Sequence, residues 1–89
     1  MKLGRDVSDD AMRQIAEGLL ETARRFVGQP RAFEPTLRGL WRDLAADALA
    51  IGTARSGWCD WHEARRNWVQ TDEQTLVEAC RRLSRGEAP

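Results

Sequence analysis

Apolar residues recur every three or four positions along this chain, and no segment alternates apolar with polar residues for the length of a strand. The pattern therefore predicts an all-α fold. In the first helix Met12, Ile15, Ala16, Leu19, Leu20, Ala23, Phe26 and Val27 share about 140° of a helical wheel. Ser8 is its N-cap, Val7 and Met12 form a hydrophobic staple, and Asp9 and Asp10 sit in the positive first turn. Gly28 is placed as the C-cap, and Pro30 prevents continuation. In the second helix Pro35 opens the first turn. Leu37, Leu40, Trp41, Leu44, Ala48 and Ile51 then form a seam about 100° wide.

The segment from Gly57 to Val69 holds three of the four tryptophans, the lone histidine and one of the two cysteines. Two starts are open for a helix here. Asp60 and Glu63 have the spacing of a loose capping box, whereas Ser56 as cap would place Trp58 inside the helix. The second start is preferred, because it gathers Trp58, Trp61 and Trp68 on one face. Thr71 and Gln74 form a further capping box, opening a helix whose apolar face is Leu76, Ala79, Cys80 and Leu83. Gly86 stops it. The expected fold is a compact bundle or orthogonal array of about four helices, near 8–27, 35–54, 57–70 and 72–85. The expected core comprises Ile15, Leu19, Leu20, Ala23, Phe26, Leu40, Trp41, Leu44, Ile51, Leu76, Cys80 and Leu83.

At 89 residues the chain makes one small domain, 1–89, with short flexible ends at 1–7 and 86–89. Fourteen basic and 14 acidic residues give a formal net charge of zero, which weakens the argument for a polyanion partner. No apolar run approaches the ~20 residues of a membrane span. The opening residues lack the apolar core of a signal peptide, so the two cysteines are read as reduced thiols in a cytoplasm.

Chemistry-bearing patterns are incomplete. Cys59 and His62 form one mixed pair where a structural zinc site shows two clean ones, so no metal ligands and no cofactor are assigned. Asp60, His62 and Glu63 diverge on a helix and cannot form a triad, so no catalytic residues are assigned and the protein is read as non-enzymatic. The 68–71 junction resembles the turn of a helix-turn-helix, but the helix after it opens Thr71-Asp72-Glu73, and carboxylates there repel phosphates.

What remains is the aromatic segment. Tryptophan and arginine are enriched at interface hot spots. The candidate protein-binding residues are therefore Trp58, Trp61, Arg65 and Trp68, with Arg66 at the rim. Arg65 falls between the tryptophans on the wheel, which leaves two outcomes. Either that edge stays in solvent, or Arg65 pairs with Asp43 or Asp47 and the segment is structural. The reading is a non-catalytic protein-binding module, a regulator, inhibitor or adaptor of the kind bacteria and phages encode, by analogy of size and composition alone. A nucleic-acid-binding regulator is the second reading, and a homodimer assembled through the Trp-rich helix is the third.

Overall fold

A computed structural model describes residues 7–26, 35–55, 57 and 59–89 of the chain. The Gly28 cap, the Pro30 stop, the Ser56 cap, Trp58 and the burial of Phe26 lie outside the described residues. Four α-helices are present among those described: α1 Asp9–Phe26, α2 Pro35–Arg55, α3 Trp61–Val69 and α4 Glu73–Ser84. No strand accompanies them, as the sequence pattern predicts.

Helix α1 starts where its cap places it. The Ser8 hydroxyl accepts from the Ala11 N–H at 3.1 Å, and Val7 packs against the core. Its buried line is Met12, Ala16, Leu19 and Ala23, a tighter stripe than the full periodic set. Ile15 and Leu20 are only half-buried at its edge.

The start of α3 corrects the sequence reading. Gly57 has φ +79°, a left-handed conformation that cannot continue a helix, and its N–H closes the last turn of α2 onto the Ala54 carbonyl at 3.1 Å. Position 57 therefore belongs to the end of α2, so the helix expected over 57–70 cannot begin there. Asp60 is the N-cap instead, with extended backbone and a carboxylate accepting from the Glu63 N–H at 2.8 Å.

The cap of α4 moves by one residue in the same way. Asp72, not Thr71, accepts from the Thr75 N–H at 3.1 Å and from its hydroxyl at 2.6 Å. The Thr71 hydroxyl is already donated back to the Asn67 carbonyl at 2.9 Å, in the last turn of α3. Helix α4 ends at Ser84 and is closed off by Gly86, φ +79°, where the N–H groups of Gly86 and Glu87 bond to the carbonyls of Leu83 and Arg82 at 3.0 Å.

Helix α2 packs against α1, α3 and α4, and α1 also packs on α4. From Ala45 to Gly52 every residue of α2 is buried. Four alanines and a glycine in that run let neighbouring helices approach closely, while Leu49 and Ile51 fill the space between them. Leu76, Ala79, Cys80 and Leu83 of α4 complete the core, as their shared face predicts. The radius of gyration of 12.2 Å matches the ~12 Å of a compact domain this long.

The N-terminal half of α2 departs from its expected seam. Leu40, expected in the core, is 56% exposed, and Leu37 is 51% exposed. Leu44 is half-buried. Only Trp41 of that stretch is buried, its Nε1–H donated to the Leu19 carbonyl at 2.8 Å. The flanking arginines reach toward the α3–α4 junction. Arg38 makes a forked pair with Glu73, at 3.2 and 3.0 Å, and Arg42 donates to the Thr71 carbonyl. These bonds fix the helix's rotation by its polar and aromatic side chains and leave two leucines facing outward.

Candidate protein-binding groove

Helix α3 is short, yet it packs closely along α2. Ala64 is its one buried residue, and its methyl side chain is small enough for a close helix approach. One helical step on, the Arg65 Nε–H donates to the Asp47 carboxylate. Asp47 is only 6% exposed and would carry a large desolvation cost unpaired. Arg65 supplies the opposite charge and keeps about a third of its side chain in solvent. The second of the two outcomes for Arg65 is therefore the one observed: it is a structural partner of Asp47, and the simple exposed Trp/Arg patch does not form around it.

The tryptophans divide. Trp68 is half-buried against α2, its Nε1–H donated to the Thr53 hydroxyl at 2.9 Å, which in turn donates to the Leu49 carbonyl at 2.8 Å. Trp61 is also half-buried and meets the His62 ring edge-on, with centroids 5.1 Å apart. Arg66 is exposed. Of the five sequence-predicted residues, Trp61, Arg65 and Arg66 line one groove, Trp68 engages Thr53, and Trp58 lies outside the described residues.

That groove, between α2 and α3, has a volume of about 790 Å³. Its α2 wall is Leu40, Asp43, Leu44 and Asp47, and its α3 wall is Trp61, His62, Arg65, Arg66, Val69 and Gln70. Val69 is 41% exposed. Leu37 precedes Leu40 by three residues and Leu44 by seven, so it extends the same face of α2. The α2 wall was missed in the sequence because the spacing of Leu37, Leu40 and Leu44 is that of a buried seam. The signal against burial was Arg38 and Arg42 interleaved with them.

The charges in the groove have distinct roles. Asp47 and Arg65 are consumed by each other. Asp43 and Arg66, one on each wall, form no ion pair among the described residues.

Elsewhere the titratable groups are those of a scaffold. Burial pushes the Cys80 thiol up to about 12, so it stays protonated at neutral pH. The hydroxyl and then the N–H of Thr75 hold the Asp72 carboxyl below its usual range, keeping negative charge at the start of α4. With Glu73 beside it, this helix start is acidic where a recognition helix would meet phosphates. Among the described residues no group of three or more His, Cys, Asp or Glu is arranged to hold a metal ion. None of their helices is long and apolar enough to cross a membrane.

No protein-family model matches the chain, and neither a curated protein nor a solved structure does.

Proposed function

We propose that this chain is a non-catalytic protein-binding module, acting as a regulator, inhibitor or adaptor in a bacterial or phage-infected cytoplasm, and that its contact surface is the α2–α3 groove. The supporting observation is where its apolar surface lies. The exposed large hydrophobic residues among those described are Leu37, Leu40 and Val69. Two of them line the groove and the third extends one wall of it. Scattered exposed apolar residues need no explanation, but a contiguous set rimmed by charge is the usual mark of an interface. Trp61 and Arg66 add the side-chain types most enriched at binding hot spots.

Parallel capture from a bacterial lysate that also contains the untagged chain tests this, using the parent, Leu40→Glu, and Gln14→Glu as an exposed control on α1. The parent and the control are expected to retain a protein that Leu40→Glu retains at least about tenfold less, with circular dichroism showing all three folded. Equal retention by Leu40→Glu removes the groove from the function. Retention of nucleic acid in place of protein, released steeply as salt rises, replaces the reading with a nucleic-acid one.

A further inference from the structure

A groove joined to its own copy about a two-fold axis must be complementary to itself, each residue meeting the counterpart of the residue that meets it. The two walls here meet that condition. The α2 wall presents exposed Leu40 and, three residues on, exposed Asp43. The α3 wall presents exposed Arg66 and, three residues on, exposed Val69. Each wall thus carries one apolar and one charged side chain one helical step apart, and the two charges are opposite. The order along the chain is reversed, apolar then acidic on α2 and basic then apolar on α3. An α2 wall laid antiparallel on an α3 wall therefore sets leucine on valine and aspartate on arginine. Neither Asp43 nor Arg66 has an ion pair among the described residues that such a contact would break. A formal net charge of zero removes long-range repulsion between copies.

We propose that the occupant of the groove is a second copy of this chain, joined about a two-fold axis so that Leu40 and Asp43 of each copy meet Val69 and Arg66 of the other. The proposal rests on the groove being a protein-binding surface and names what it binds. Leu37, beyond the end of the α2 wall, widens the apolar contact. The two Asp43–Arg66 pairs lie at its rim and set its register.

Charge reversal tests it by sedimentation equilibrium, with circular dichroism confirming that each variant is folded. The parent is expected at about twice the 10.1 kDa of one chain. Asp43→Arg alone sets two arginines against each other at both pairs, and Arg66→Asp alone sets two aspartates. Each is expected to raise the dissociation constant about a hundredfold or more and run as a monomer. An equimolar mixture of the two variants restores both opposite-charge pairs and is expected to dimerise again. A parent that stays monomeric up to its solubility limit overturns the second-copy proposal. So does a dimer that survives both reversals, or a mixture that stays monomeric. If those outcomes are accompanied by loss of protein capture in Leu40→Glu, the groove still binds a protein and only the identity of the occupant falls. If capture is also indifferent to Leu40→Glu, the groove reading falls with it.

Discussion

The two halves of α2 are both rich in apolar residues, yet one is enclosed and the other lies open. From Ala45 to Gly52 every residue is buried, an aspartate included. From Leu37 to Leu44 only Trp41 is. The enclosed half is built from small side chains, so backbones crowd in and the few large residues, Leu49 and Ile51, are covered completely. The open half has larger apolar side chains but is anchored by directional bonds: Trp41 to the Leu19 carbonyl, Arg38 to Glu73, and Arg42 to the Thr71 carbonyl. Those bonds decide which way the helix turns, and Leu37 and Leu40 are left outside. Apolar content alone does not set burial; the size of the side chains and the grip of their polar neighbours do.

The largest expected effect tests this contrast directly. Leu49→Ala empties a site with no solvent access and is expected to cost about 2–5 kcal/mol. That is a large share of the stability of a domain this small. Leu40→Ala removes the same atoms from a position half-exposed in the single chain and, measured at concentrations where the chain is monomeric, is expected to change stability by less than about 0.5 kcal/mol. Urea unfolding of the two variants measures both. A Leu40→Ala cost matching that of Leu49→Ala would show that the open half is not open in solution.

The aspartates repeat the contrast at smaller scale. Asp47→Asn leaves Arg65 without its carboxylate at a nearly closed site. Arg65 already reaches solvent and can rehydrate, so the expected cost is about 1–3 kcal/mol, below that of breaking a fully buried pair. Asp43→Asn, one turn earlier on the exposed wall, is expected to stay within about 0.5 kcal/mol of the parent when both are monomeric. Trp68→Phe loses one hydrogen bond, to Thr53, whose hydroxyl keeps its bond to Leu49. About 1 kcal/mol is expected, with dimerisation through the groove unchanged. If Trp68→Phe abolishes association while the chain stays folded, Trp68 belongs to the contact and the division of the tryptophans is wrong.

Much of the fold was legible in the chain. The caps and stops that depend on a few adjacent residues could be read at Ser8, Pro35 and Gly86, and the α4 face Leu76, Ala79, Cys80, Leu83 follows from spacing alone. Two helix starts were misplaced because neighbouring residues competed for one role. Asp60 and Asp72 are stronger acceptors than the serine and threonine preferred by the capping-box pattern. Gly57 falls inside the expected 57–70 helix, although its left-handed conformation excludes it from one. The site was half legible. Arg65 with Asp47 was one of the pairings its position allowed. The leucines opposite were hidden, because helical spacing gives a phase but not which of two adjacent faces meets the neighbour. Only the long-range bonds of Trp41, Arg38 and Arg42 settle that, over separations of 22 to 35 residues.

The smallest effect uses the two glycines of α2, one in each half. A methyl group built on Gly39 meets nothing within 4 Å, so Gly39→Ala gains the helix-forming advantage of alanine without obstruction. An increase of about 0.5–1 kcal/mol is expected, seen as a higher melting temperature. The same methyl on Gly52 lies 3.1 Å from Leu83 Cδ1 and 3.2 Å from the Pro89 ring. Helix propensity favours the substitution equally there, but Leu83 is buried in the core and has little room to yield. The gain is expected to be cancelled, leaving Gly52→Ala within about 0.5 kcal/mol of the parent or below it. A Gly52→Ala variant as stabilised as Gly39→Ala would mean that Leu83 and the residues after Gly86 give way freely. The C-terminal half of α2 would then be less tightly enclosed than its alanines imply, and the contrast between the halves would be one of degree.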